Sequence, residues 1–214
     1  MKHLKINIVS DVMCPWCIIG YQNLAKALVD LKDEVTADIQ WHPFELNPDM
    51  PIEGQEIQEH LQEKYGLTPE QALENRQRIE MLGKESGFTF NFADKRLMIN
   101  SFDCHRLLTW AQIEGKQTEL KLALFKAHFS DQIYLNDQAE LLKIVAQVGL
   151  DQDRAKAILT SDEFATSVKD EEASMQRMGI SSVPTFIIND KYAISGGQAS
   201  DTFKQALKQI SDEE

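Results

Sequence analysis

Two cysteines three residues apart, set where a strand hands over to a helix, constrain this chain more than any other feature. Leu4-Lys5-Ile6-Asn7-Ile8-Val9 alternates apolar and polar side chains, the period of a half-buried strand. Beyond Cys14-Pro15-Trp16-Cys17, the residues Ile18, Tyr21, Leu24, Ala25 and Leu28 recur at three- and four-residue steps, which is helical spacing. Cys14 is therefore expected at a helix N-terminus, where unpaired N–H groups and the helix dipole favour an anion. A thiolate is such an anion, and it is the form that attacks disulfides. Cys17 lies one turn further in, within reach of a mixed disulfide formed at Cys14. Pro15 falls in the first turn, where its missing N–H costs nothing.

A Cys-x-x-Cys pair is also half of a zinc site, but structural zinc takes four ligands. The chain has three cysteines in all. The third, Cys104, is followed by His105, and adjacent residues on a helix point about 100° apart, a poor chelating pair. No metal site is expected. A second signal lies far along the chain, where Gly179-Ile180-Ser181-Ser182-Val183-Pro184-Thr185-Phe186-Ile187-Ile188 reads as a loop, a proline and an apolar strand. At the first residue of a strand, proline forfeits no ladder hydrogen bond that matters. The Val183–Pro184 bond is open to either isomer on sequence alone; a cis bond would present the Val183 backbone at the loop tip.

Strand, Cys-Pro-x-Cys, helix, and late in the chain Val-Pro-Thr with two short strands, together resemble the thioredoxin fold. Asp11-Val12-Met13-Cys14-Pro15-Trp16-Cys17-Ile18-Ile19-Gly20 and Phe44-Glu45-Leu46-Asn47-Pro48 are similar to the DsbA-like thioredoxin group. The FrnE-type dithiol–disulfide oxidoreductases match best. Asn100-Ser101-Phe102-Asp103, His105-Arg106-Leu107 and Ile194-Ser195-Gly196-Gly197-Gln198 extend the resemblance over nearly the whole chain. The same superfamily includes kappa-class glutathione transferases and 2-hydroxychromene-2-carboxylate isomerases, which usually carry serine at the place of Cys14. Two cysteines favour dithiol chemistry.

The expected fold class is α/β, a thioredoxin-like fold with a large inserted helical domain. Residues 1–52 and 178–214 would form the thioredoxin-like domain and 53–177 the insertion. Strand 4–9, helix 15–32 and strand 35–42 make an opening β-α-β unit with parallel strands. Asn47 to Gly54 breaks the pattern as a loop. A helix carrying Ile57, Leu61 and Tyr65 follows. Thr68-Pro69-Glu70-Gln71 then opens another helix, ended near Gly83 and Gly87. Phe88-Thr89-Phe90-Asn91-Phe92 alternates as a short extended stretch would. Further helices are expected near 101–113, 117–129, 137–147, 151–159 and 161–177, with Asn136-Asp137 and Ser161-Asp162 as caps. Strand 184–188, a turn at Asn189-Asp190, strand 192–195, a Gly196-Gly197 turn and helix 199–210 complete the frame.

Cys14 is the expected nucleophile and Cys17 the resolving thiol, with Pro15 and Trp16 tuning the pair and contacting substrate. Val183 and Pro184 are the expected substrate-binding partners, through a backbone N–H and C=O open to strand addition. Asp11 would raise the Cys14 pKa if it points inward, or serve as a turn side chain. His42 ends the second strand and reads as a half-buried structural histidine that could border the cleft. Asn100 and Arg106 match positions near the ligand cleft of the glutathione-using relatives; by their own setting they read as a helix N-cap and a surface or ion-pair residue. Cys104, where relatives often have a small residue, reads as a buried helical thiol, with an auxiliary redox thiol as the sharper alternative. His105 and His128 show no partner.

Net charge is −12 and the sequence pI about 4.9, with no Lys/Arg cluster, which disfavours nucleic acid. No apolar run is long enough for a membrane span. The N-terminus enters a strand without a signal region or cleavage site, so the protein is expected in the cytoplasm unless a leader was trimmed. The function these signals imply is thiol–disulfide exchange with a disulfide-containing protein or small thiol substrate. No tightly bound cofactor is implied, and glutathione is the candidate co-substrate. A glutathione-dependent transferase or isomerase of a small aromatic substrate would need Cys14 alone, and a non-catalytic binding module would show unreactive thiols.

Overall fold

The computed structural model describes residues 1–93 and 96–213. β1 (Lys2–Ser10) leads through a tight turn into α1 (Pro15–Asp30), and β2 (Val35–Pro43) returns parallel to β1 in the register Ile6↔Ile39 and Val9↔His42. The chain then forms β3 (Gln55–Glu56), α2 (Ile57–Tyr65), α3 (Pro69–Ser86) and β4 (Leu97–Met98). Five helices follow: α4 (Phe102–Ile113), α5 (Gln117–Phe129), α6 (Gln138–Gln147), α7 (Gln152–Leu159) and α8 (Ala165–Arg177). β5 (Thr185–Ile188), β6 (Tyr192–Ser195) and α9 (Ser200–Glu213) close the chain. The main sheet has the order β2-β1-β5-β6, with β5 antiparallel to β1 and β6 antiparallel to β5. The opening strands thus complete their sheet only when the last quarter of the chain arrives, the α/β thioredoxin-like arrangement expected.

Local chemistry accounts for most boundaries. Thr68 accepts from Gln71 N while the Gln71 side chain accepts from Thr68 N, a reciprocal cap with Pro69 in the first turn. α3 runs through Gly83 and stops at Gly87, whose φ of 92° suits only glycine comfortably. Gly83 is there for contact instead: a Cβ at this site would overlap the Phe90 ring. Asp137 and Asp151 cap α6 and α7.

Three expectations differ from the structure. The last helix of the insertion begins at Ala165, not Ser161, because Phe164 takes a left-handed φ of 63° and breaks the run. Phe88-Thr89-Phe90-Asn91-Phe92 pairs with no strand; its alternation reflects three phenyl rings turned inward while Thr89 and Asn91 face out. The loop at 47–54 stands, but the stretch expected to turn helical after it opens instead with the two-residue antiparallel pairing of β3 with β4, too short to leave a periodic signal.

Two apolar clusters hold these elements. One packs Leu4, Ile6 and Ile8 of β1 against α1 and α9 and continues through Trp41 into Phe90, Phe92, Phe125 and Phe129. The second lies among α4, α5, α6 and α7, and takes in Val12 and Met13. Those two residues belong to the turn before Cys14, so the helical core anchors that turn from behind. Burying two such side chains contributes on the order of 3–6 kcal/mol of holding energy.

Candidate active site

Cys14 occupies the N-cap of α1 with extended backbone (φ −93°, ψ 110°), and Pro15 takes the first helical position. Cys14 N donates to Asp11 O at 3.2 Å and Cys17 N to Cys14 O at 3.1 Å, which fixes the turn and puts both thiols on its inner side. Neither is disulfide-bonded; Cys17 is fully buried and Cys14 only 4% exposed. The Val183–Pro184 peptide is cis, and the Val183 carbonyl lies 3.8 Å from Cys14 Sγ, in reach of the thiol's weak S–H donor. Residues 169 positions apart in sequence thus meet at one sulfur. Pro184 is buried, and its carbonyl accepts from Gly196 N at 2.8 Å. The Gly196-Gly197 turn is pressed on the start of α1: a Cβ at Gly197 would stand 2.9 Å from the Trp16 carbonyl. Trp16 itself is half-buried, with the Arg78 guanidinium 5.7 Å from its ring centroid.

The two thiols ionise as a pair. Cys14 is held well above the ordinary thiol range, first by its hydrogen bond with Cys17, then by burial and by the Cys17 charge. Burial opposes ionisation at Cys17 too, but hydrogen bonds from Cys14 and Ser10 and the Lys121 charge outweigh it and bring Cys17 below the ordinary range. The direction at Cys14 runs against the lowering expected at a helix N-terminus, because its hydrogen bond with Cys17 and its burial both oppose its ionisation.

Asp11 fills both roles that the sequence offers it. Its carboxylate, 1% exposed, accepts from Met13 N at 3.2 Å and Leu46 N at 2.7 Å, tying the turn to the loop after β2. Burial works against its charge, yet His105 and the Leu46 N–H prevail and hold the carboxyl below its usual range. That charge is a further, smaller cause of the elevated Cys14 pKa.

His105 is the partner that the sequence does not disclose. Its Nε2 donates to the Phe44 carbonyl at 3.1 Å and lies 3.5 Å from Asp11 Oδ1. Lys121 was also missed. It sits on α5, 1% exposed, with Nζ 3.4 Å from the Ser10 carbonyl. Its only sequence signal is its place between Leu120 and Leu122, four residues before the buried Phe125, on a face that carries apolar side chains.

The remaining sequence candidates stand apart from the sulfurs. His42 is tied at Nε2 to Asn7 Oδ1, 3.0 Å, and at Nδ1 to Glu171 Oε1, 2.5 Å, joining β1, β2 and α8. Asn100 Oδ1 accepts from Phe102 N at 3.0 Å and its Nδ2 donates to Met50 O at 2.8 Å, so it caps α4 from one residue before the formal N-cap, Ser101. Arg106 is not on the surface: buried, it donates to Asp103 Oδ1 at 2.7 Å, to Glu163 O at 2.9 Å, and to the Ile158 and Ser161 carbonyls. Cys104 is fully buried, and burial first, with Asp103 and Asp11, pushes its thiol far up. Among the described residues, no three His, Cys, Asp or Glu side chains are grouped to hold a metal ion, and no helix is long and apolar enough to cross a membrane.

Cys14 at the N-cap of α1, Cys17 one turn inside and the cis-proline loop against Cys14 come together at one end of the thioredoxin-like sheet. The chain belongs to the DSBA-like thioredoxin domain family, which matches residues 5–208. It is similar to the uncharacterized protein YwbO of Bacillus subtilis (strain 168), 27% identical over 212 residues, covering 99% of this chain and 98% of the relative. Among solved structures it is similar to the probable DsbA oxidoreductase SCO1869 from Streptomyces coelicolor, with a TM-score of 0.92 and 30% identity, covering 99% of this chain and 92% of that one. The cytosolic disulfide reductase DsbM from Pseudomonas aeruginosa with GSH shares the fold at a TM-score of 0.66 and 17% identity, with 96% and 98% covered. The family is one of oxidoreductases and isomerases that act on thiols and disulfides.

Proposed function

We propose that this protein exchanges disulfides through Cys14 and Cys17, with a disulfide-bearing protein or small thiol as substrate and glutathione as co-substrate, in the cytoplasm. The observation that carries the reading is the meeting of Cys14 Sγ with the Val183 carbonyl at 3.8 Å, one helical turn from a second thiol. Cys14 is the sulfur nearer the surface, so it makes first contact. A proton passes from Cys14 to Cys17 across their hydrogen bond, and the Cys14 thiolate attacks one sulfur of a substrate disulfide. A Cys14–S–S–R bond forms as the substrate S–S bond breaks, and the departing thiolate takes up a proton. Cys17, as thiolate, then attacks Cys14 Sγ; the Cys14–Cys17 bond forms, RS⁻ leaves, and the substrate has gained two electrons. Two glutathione thiols reverse this at the enzyme and leave as glutathione disulfide. The backbone of Val183 aligns the substrate as an added strand. No bound cofactor is required by these steps.

The experiment is equilibration in graded glutathione buffers, with free thiols trapped and counted by mass. A single two-electron transition confined to Cys14 and Cys17, lost in Cys14→Ser, supports the reading, and Cys17→Ser should accumulate a glutathione adduct at Cys14. If no disulfide forms between the two and turnover of an aromatic substrate survives Cys17→Ser, the transferase or isomerase reading replaces it.

A further inference from the structure

A cation with no counter-ion of its own stands against the cysteine motif. Arg78 is exposed on α3, and its guanidinium carbon lies 5.7 Å from the centroid of the Trp16 ring. Trp16 sits between Pro15 and Cys17 in the first turn of α1. Among the described residues, the guanidinium donates no hydrogen bond, and no carboxylate oxygen comes within ion-pair distance of it. Neighbouring basic side chains are committed elsewhere. Arg76 bonds to Glu80 and the Phe92 carbonyl, Lys26 to the Glu85 carbonyl, and Lys64 to the Leu46 carbonyl and Asn47 Oδ1. In a chain of net charge −12, an unpaired cation at this place opposes the prevailing sign.

The fold holds both sides of this contact. The Gly196-Gly197 turn abuts the Trp16 carbonyl, and Cys17 N bonds to Cys14 O, so the first turn of α1 is fixed. On α3, Ile79 is buried in the same cluster as Cys14 and Cys17, and Leu82 and Trp16 pack against that cluster. Helical spacing puts Arg78 and Leu82 on one face of α3, four residues apart. A guanidinium over an indole face keeps its N–H edge free, and that edge is a fork matched to a carboxylate. Resting on the ring also restricts the side chain in advance, so less freedom is lost when an anion binds.

We propose that Arg78 is a specificity-determining residue that selects substrates carrying a carboxylate beside the reacting disulfide. The proposal rests on the disulfide-exchange reading of this site. The Cys14 thiolate attacks the nearer substrate sulfur, the Cys14–S–S–R bond forms as the substrate S–S bond breaks, and R′S⁻ leaves and takes a proton from water. Arg78 transfers neither electron nor proton; it pairs with a carboxylate of the R group held at Cys14. A carboxylate one residue along an extended substrate lies within about 7 Å of the substrate cysteine, two residue lengths. Trp16, on which the guanidinium rests, is itself only two positions from Cys14. A small thiol acid and an acidic segment of a protein both offer this group.

The test uses the whole reduced chain, alkylated in parallel with iodoacetate and with iodoacetamide, the rate at Cys14 being followed by peptide mass. The ratio of the two rates cancels the thiolate fraction, so a change in Cys14 ionisation alone leaves it unmoved. Arg78→Met should lower that ratio about fivefold, the size of one exposed charge pair, and Arg78→Glu should lower it further. Both effects should shrink in about 0.5 M salt, and Lys84→Met, which removes an exposed cation further along α3, should stay within about 1.5-fold of native. A native ratio in Arg78→Met, or an equal fall in Lys84→Met, overturns the proposal. A second arm measures mixed-disulfide formation with dithiodipropionate against hydroxyethyl disulfide, and with a cystine peptide flanked by Glu against one flanked by Gln. Arg78→Met should erase the preference for the acidic member; a loss in the first pair alone assigns the carboxylate to a small thiol acid, and a loss in both extends it to acidic protein segments. A preference that survives Arg78→Met in both pairs overturns the proposal. A native chain that alkylates at Cys14 yet forms no mixed disulfide defeats the exchange reading, while the alkylation ratio still judges Arg78 by itself.

Discussion

Replacing Arg106 with methionine separates a structural role from a ligand-binding one. Resemblance to glutathione-using relatives places this residue near a cleft, yet all of its guanidinium contacts are internal. It donates to the carbonyl of Ile158 in the last turn of α7, to those of Ser161 and Glu163 in the connection to α8, and to Asp103 Oδ1. Methionine fills much of the same volume but leaves three carbonyls without that donor, in a place where Arg106 is only 5% exposed. Ile158 O keeps its bonds from Ser161, and Ser161 and Glu163 are exposed enough for water to reach their carbonyls, so the loss is that of the charge-assisted bonds themselves, roughly 2–3 kcal/mol. For a chain of this size, roughly 2–4 °C of melting temperature follows each kcal/mol, so Tm should fall by roughly 4–12 °C. Urea unfolding read by circular dichroism measures the loss, and the graded glutathione equilibrium measures the site. A native redox equilibrium alongside the destabilisation is expected. A stability loss under about 1 kcal/mol, or a redox equilibrium moved more than about threefold, would refute the role assigned to the guanidinium.

Other perturbations have equally definite outcomes. Glu45 is pushed up to about 8, chiefly by burial and then by the Glu172 charge; a carboxyl raised on folding binds more protons folded than unfolded, so stability should fall as pH rises from about 4.5 to about 8, and Glu45→Gln should flatten that slope in urea titrations. Asp11 is held below its usual value, so its contribution is full above the unfolded pKa near 3.8 and is lost as pH falls below it. Asp11→Asn should cost about 2–3 kcal/mol through the weakened bonds from Met13 N and Leu46 N, and should increase the Cys14 thiolate in an absorbance titration. Gly197→Ala places a methyl 2.9 Å from the Trp16 carbonyl, so reaction at Cys14 should slow at least severalfold in a mixed-disulfide assay, with a smaller change in Tm.

The sequence discloses what local chemistry writes and little of what the fold assembles. Cys14 to Cys17 is legible because its strand, proline and helix are contiguous, and Thr68-Pro69-Glu70-Gln71 because a cap is spelled within four residues. The pairing of β3 with β4 is not, since two residues carry no period. Phe88 to Phe92 misleads because burial alternates there without a strand partner. The start of α8 is displaced by a left-handed Phe164, a backbone state that no side-chain pattern announces. The site divides in the same way. Both cysteines and Val183-Pro184 are legible, whereas His105 meets Asp11 and Lys121 meets Ser10 across 94 and 111 positions, distances over which sequence records no contact.

The missed residues are charged groups placed in the interior, and their arrangement explains why the active-site turn needs the helices of the 53–177 stretch. Asp11 next to Cys14 would by itself discourage the thiolate that the chemistry requires, and Lys121 by itself would be a costly buried cation. Asp11, in the turn after β1, answers both: His105 from α4 and the Lys121 charge from α5 favour its carboxylate, and Asp11 in turn favours the Lys121 ammonium. Val12 and Met13, buried in the cluster of α4 and α5, hold that turn at the depth where the compensation works. A thioredoxin-like sheet with α1 and α9 alone would supply the two sulfurs and the cis-proline loop but neither His105 nor Lys121. The helical stretch therefore contributes charged groups, His105 and Lys121, to the surroundings of the turn.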